Sequence, residues 1–141
     1  MRRAILLVTV MAVVLVLGAG VALAVTVSGA FTGTNQNETI NGSSSNDRIA
    51  GGGGNDTING RGGKDRLFGD FGNDALKGSS DNDFLNVADN ASGDSVDAGG
   101  GTNKCVVDVG DIIDPNGVNQ TVVAGDDGTQ VGSCTKVTVV H

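Results

Sequence analysis

The chain has no Trp and no Tyr, and only four Phe among its 141 residues. Once the apolar N-terminal run is set aside, large apolar side chains are sparse. A conventional two-layer core needs more of them, so burial alone does not hold this chain together. Histidine is nearly absent as well: the one His is residue 141. No Ser has a base near it in sequence, so no acid–base constellation is visible and enzyme activity is not expected. Basic residues are few, with 9 Lys and Arg against 16 Asp and Glu and a formal net charge of −7. No basic patch is visible to meet phosphates, which argues against nucleic acid, and the acidic balance favours cations. There are two cysteines, Cys105 and Cys134. With one distant His141 they lack zinc-ligand spacing. In an exported chain two cysteines most often pair, and a disulfide between them is expected.

Export is read from the N-terminus. Arg2 and Arg3 form a positive start, and Ala4 to Leu17 is an apolar run broken only by Thr9. Ala22-Leu23-Ala24 places small residues where a signal peptidase reads them, so residues 1–24 are expected to be a signal peptide cleaved after Ala24. Cleavage removes Arg2 and Arg3 and takes the charge from −7 to −9. The alternative is an uncleaved anchor, whose apolar stretch just spans a bilayer if it continues through Val27. Either way the body lies outside the cytosol, and membrane contact is expected only through this segment. No Cys lies next to the cleavage point, so a lipid anchor is not indicated.

What the chain has in abundance is glycine, 24 residues, and it is placed periodically. From Gly42 to Asn86 the sequence reads in rows of nine: GSSSNDRIA, GGGGNDTIN, GRGGKDRLF, GDFGNDALK, GSSDNDFLN. Gly opens every row. The sixth place holds Asp47, Asp56, Asp65, Asp74 and Asp83; the eighth holds Ile49, Ile58, Leu67, Leu76 and Leu85. Gly33 to Asn41 fits upstream with Glu38 and Ile40 at those places. Downstream, Val87 and Ala88 break the phase. It resumes from Asp89 with Asp94 and Val96, then from Ala98 with Asn103 and Cys105. Such a fixed period signals stacked repeats, atypical at the ends.

Each place in the row has a physical role. Opening glycines permit tight turns and close backbone approach. Places seven to nine form a short strand whose eighth side chain points inward while its neighbours point out. One inward Ile or Leu per nine ordered residues is too little to hold the fold. Stacked turns also bring carboxylates together, and these repel unless a cation lies between them. Calcium takes six to eight oxygens from carboxylates and carbonyls, which suits such turns. Folding and metal binding are then one event.

These rows match the nonapeptide GGxGxDxUx, and the block resembles the RTX, or haemolysin-type, calcium-binding repeats. The resemblance covers about Gly33 to Val106 and is specific over Gly42 to Asn86. It implies an all-β, right-handed parallel β-roll solenoid in which two rows make one coil and each Ca2+ lies between turns eighteen residues apart. It pairs Asp47 with Asp65, Asp65 with Asp83, and Asp56 with Asp74. It also implies carbonyl ligands from turn residues such as Gly51, Gly53, Gly60 and Gly62. Weaker outer candidates are Glu38, Asp94 and Asn103. Ser43, Arg61, Asp70 and Ser79 replace the second glycine, and Ser45 and Asp81 the fourth-place one. The expected organisation is residues 1–24 signal, 25–32 linker or N-terminal cap, 33–106 calcium-binding β-roll, and 107–141 a small C-terminal β cap. In the cap, short strands are expected at Val106-Val107, Ile112-Ile113, Val122-Val123 and Lys136 to Val140, separated by turns at Asp114–Gly117 and Asp126–Gly128. Two functions follow: a secreted calcium-binding structural or surface protein, or an extracellular adhesion module using the roll as scaffold and the cap as contact surface, which a flat exposed patch including Phe68, Phe71 or Phe84 would support.

Overall fold

The protein is described by a computed structural model that covers residues 23–113, 120–121 and 134–140. Most of the expected signal segment, the turns at 114–117 and 126–128, Val122-Val123 and His141 lie outside the described residues. Among the described residues no helix is long and apolar enough to cross a membrane.

The row period becomes two parallel ladders because successive rows alternate between two sheets. One sheet contains β1 (Leu23–Thr26), β3 (Glu38–Asn41), β5 (Thr57–Asn59), β7 (Ala75–Lys77), β9 (Ser95–Asp97) and β11 (Ile112–Ile113), with β12 (Gln120–Thr121) antiparallel on its end. The other contains β2 (Ala30–Thr32), β4 (Arg48–Gly53), β6 (Arg66–Phe71), β8 (Phe84–Asn86), β10 (Lys104–Asp108) and β13 (Lys136–Val140), all parallel. Pairing joins residues eighteen apart: Ile40 to Ile58 to Leu76, and Ile49 to Leu67 to Leu85. This is the parallel all-β solenoid that the nonapeptide pattern implies.

The eighth-place side chains form the core. Ile40, Ile49, Ile58, Leu67, Leu85 and Val96 are fully buried, and Leu76 nearly so. The two-residue insertion does not break the ladder. Leu76 pairs with Val96 and Leu85 with Cys105, both across twenty residues, while Val87 turns into the core and its N–H donates to the Val106 carbonyl. Spare length was absorbed because an apolar residue was there to be buried.

Past Val106 the chain leaves the nine-residue phase but keeps the ladder. Ile113 pairs with Val96, and Val137 stacks on Cys105, so the C-terminal segment closes both sheets by adding rungs. The Cys105–Cys134 disulfide is formed, across 29 residues with Cα atoms 5.8 Å apart, and both cysteines are buried. At the other end the residues expected as linker include ordered strand. Leu23–Thr26 pairs with Glu38–Asn41, so cleavage after Ala24 leaves only half of β1.

Candidate metal centre

The sixth-place acids are buried in a chain with little core to spare. Asp47, Asp56, Asp65, Asp74, Asp83 and Asp94 are each at most 3 % exposed. Each carboxylate reaches the preceding rung of its own sheet. Oδ1 of Asp65 accepts from the Asp47 N–H at 2.8 Å, Asp83 from Asp65 at 2.9 Å, Asp74 from Asp56 at 2.8 Å, and Asp94 from Asp74 at 2.7 Å. Three of these pairs are eighteen residues apart and the fourth twenty, and each touches through one carboxylate oxygen and one backbone amide. Asp94, which the insertion made doubtful from sequence, takes the same position in the series.

The second oxygen distinguishes the rows. Oδ2 of Asp56, Asp65, Asp74, Asp83 and Asp94 is buried with no hydrogen-bond partner. A buried anionic oxygen without a donor is costly, so these five positions need a proton or a cation. Burial raises all five acids: Asp56 and Asp65 to about 6 and Asp94 to about 7 from an ordinary 3.8, with Asp74 and Asp83 also raised. Hydrogen bonds from the preceding backbone amides pull the other way and are outweighed by desolvation.

The opening glycines keep the space beside the Oδ2 atoms of Asp56, Asp65, Asp74 and Asp83 clear. A Cβ on Gly78 would lie 2.5 Å from Asp83 Oδ2 and 2.7 Å from the Ala98 carbonyl oxygen. One on Gly51 would collide with Asp56 Oδ2 and the Gly69 carbonyl, and one on Gly60 with Asp65 Oδ2. So the missing side chain leaves a gap bounded by a carboxylate oxygen of its own row and a carbonyl oxygen of the next rung. Gly51 and Gly60 present their carbonyls to the gaps at Gly33 and Gly42 in the same way. Gly53 and Gly62 are placed differently: Gly53 packs toward Asn35, and the Gly62 N–H donates to the Ser43 carbonyl. Among the described residues no three His, Cys, Asp or Glu side chains converge on one point. An ion in these turns would take most of its oxygens from the backbone, which the hard-cation chemistry of calcium allows. An oxygen-only donor set with buried, donor-free carboxylate oxygens fits Ca2+.

Rows at the two ends meet the same need without an ion. Ser43 donates to Asp47 Oδ2 through its N–H at 2.7 Å and its hydroxyl at 3.0 Å. Thr34 does the same for Glu38 through its N–H and hydroxyl. Asn103 is also in the ladder, accepting from the Asp83 N–H at 2.9 Å. Where an Asp has its bare Oδ2, Asn103 has an amide that donates to the carbonyls of Ala98 at 3.0 Å and Gly100 at 3.1 Å. Asn103 therefore spends its side chain closing its own turn.

Four of the six non-glycine substitutions hold the glycine conformation, and Ser43 and Ser45 do not. Arg61, Asp70 and Ser79 at the second place have φ of 74°, 65° and 89°, and Asp81 at the fourth has 78°. Asp81 is exposed and accepts from the Gly63 N–H at 3.2 Å, so it braces the turn from outside. Sequence reading missed two buried acids, Asp108 and Asp111. Asp111 accepts from the N–H groups of Gly93, Asp94 and Asp108, and Asp108 from those of Asp89 and Asn90. The available signal was Asp111-Ile112-Ile113, an acid followed two residues later by an inward apolar residue, as in every row but that of Asn103.

Residues 32–67 and 59–91 match the family model of the RTX calcium-binding nonapeptide repeat (4 copies). A search of curated proteins and a search of solved structures found no match.

Proposed function

We propose, from the premise that residues 32–91 are RTX calcium-binding nonapeptide repeats, that the chain is an exported β-roll without enzyme activity that folds on binding Ca2+. The observation that carries this is the series of five buried Oδ2 atoms without a donor, three of which, on Asp56, Asp65 and Asp83, lie beside a glycine gap lined by a carbonyl. Two such oxygens on neighbouring rungs define a site. By that criterion the best sites pair Asp56 with Asp74, Asp65 with Asp83, and Asp74 with Asp94. Asp47 with Asp65 is the weaker pair, because Ser43 already serves Asp47.

Export places the turns where calcium is abundant, since extracellular calcium modules bind in roughly the 10⁻⁴–10⁻³ M range. The role is structural or at the cell surface. A second reading, an adhesion module, is favoured by the stack of Phe68 and Phe84, 5.8 Å apart on the outer face of one sheet.

Calcium titration by calorimetry, with circular dichroism in calcium and in chelator, tests the first reading. Heat of binding and a β signal that appears with calcium are expected. A β signal that ignores chelator overturns the coupling of folding to the ion. Mass analysis of the exported chain tests cleavage after Ala24.

A further inference from the structure

The outer face of the second sheet carries a line of cations that the acidic composition hides. Of nine Lys and Arg, two lie in the N-terminal segment; four of the other seven stand at one register position. Arg48, Arg66, Phe84, Lys104 and Lys136 pair in sequence across β4, β6, β8, β10 and β13. At about 4.8 Å per strand the line runs about 19 Å. All four cations are exposed. Among the described residues the one ion pair is Lys77–Asp97, on the opposite sheet, so none of the four has a carboxylate partner. Two are held in place: the Arg48 guanidinium lies 4.6 Å over the Phe68 ring and that of Arg66 5.6 Å over Phe84. A guanidinium stacked on a ring uses its face and leaves its N–H edge free for bidentate pairing with a carboxylate.

We infer that this face binds a linear polysaccharide bearing one carboxylate per sugar. The partner must be anionic, extended and flat enough to lie on a sheet. A polymer with one acid per pyranose ring carries about one acid per rung of length, and because successive acids turn to different sides, the long Arg and Lys side chains meet them from beside the chain. An acidic peptide would first have to be fixed in an extended form across the rungs, an entropic cost that a stiff pyranose chain largely avoids. A duplex strand carries one phosphate per about 3.4 Å of helix axis, wound around a cylinder, and is read in grooves that a flat sheet does not enter. The acidic remainder of the surface also disfavours a dense polyanion. This inference goes beyond calcium binding and rests on it only in that the roll must be folded.

The test uses the protein purified in calcium, its fold verified by circular dichroism, and oligogalacturonate too short to gel. Binding measured by calorimetry should weaken as salt rises. Replacing Arg48, Arg66, Lys104 and Lys136 together by Ser should weaken it about tenfold or more, from four surface ion pairs. Lys104→Ser with Lys136→Ser leaves the Arg–Phe stack intact and should give a smaller loss. Unchanged affinity in both variants overturns the inference and points to calcium bridging at the acidic turns. Equal binding of a neutral oligosaccharide of the same length overturns it, as does tighter binding of a single-stranded DNA oligonucleotide. Because dichroism reports folding separately, failure here is distinguishable from failure of the calcium reading.

Discussion

Asp83 and Asn103 occupy the same place in successive rungs, and their side chains meet the turn in opposite ways. Each presents one oxygen to the amide of the rung before it. The other terminal atom differs. Asp83 leaves a buried oxygen bare beside the Gly78 gap, while Asn103 donates to the carbonyls of its own turn. The comparison shows what the middle of the roll lacks. Its turns have acceptors on both sides of the gap and no donor. Asn103 provides the donor covalently, Ser43 and Thr34 provide it from a hydroxyl and an amide, and the five Asp rows, on our proposal, take a cation instead.

The largest effect should come from removing that cation. In chelator above about pH 7 Asp56, Asp65 and Asp94 lose their protons and the roll should lose its β signal. Lowering the pH should restore part of it. Burial raises Asp56 and Asp65 to about 6 and Asp94 to about 7, against 3.8 ordinarily. Between those values the folded chain holds more protons than the unfolded chain. Without calcium, stability is therefore greatest near about pH 4 and falls as pH rises through 6 to 7. Thermal melts in chelator across that range test this, and a flat profile would show that the oxygens find donors in solution.

Exchanging the two residue types tests the comparison next. Asn103→Asp should remove the donor and leave one more bare oxygen. It should cost about 1–3 kcal/mol in urea unfolding at fixed calcium. No change would mean that the amide does not close the turn. In the reverse direction, Asp65→Asn keeps the acceptor for the Asp47 N–H and supplies a donor to its own turn. Calorimetry should then register less calcium bound with the fold retained, whereas Asp65→Ala should lose both. The smallest effect belongs to the glycine departures. Arg61→Gly relieves a left-handed non-glycine residue, worth about 1–2 kcal/mol before the flexibility of glycine offsets part of it. A melting temperature raised by a few degrees is expected.

Much of this was legible in the row. An Asp at place six and an Ile or Leu at place eight reveal an inward ladder and a stacked acid, because strand side chains alternate over a few residues. Asp94 was harder to read, since the insertion hides its phase until Val87 is found buried. Asp108 and Asp111 were missed because their rung follows a one-residue slip. The cation line was invisible for a different reason. Arg48, Arg66, Lys104 and Lys136 are isolated in sequence, separated by acids that point elsewhere, so composition reads them as scattered.

The sequence by itself determined the rung, its inward face and its acidic turn, because a nine-residue period acts through local geometry: glycine where the chain turns back, alternation where it extends. Only the tertiary structure decided which carboxylate oxygens are left without a donor and which cations share a face. The shared face depends on residues about eighteen or more apart, and stacking is also what buries the acids; whether a buried oxygen then finds a donor is decided within its own turn, by Ser43 or Thr34 four residues away.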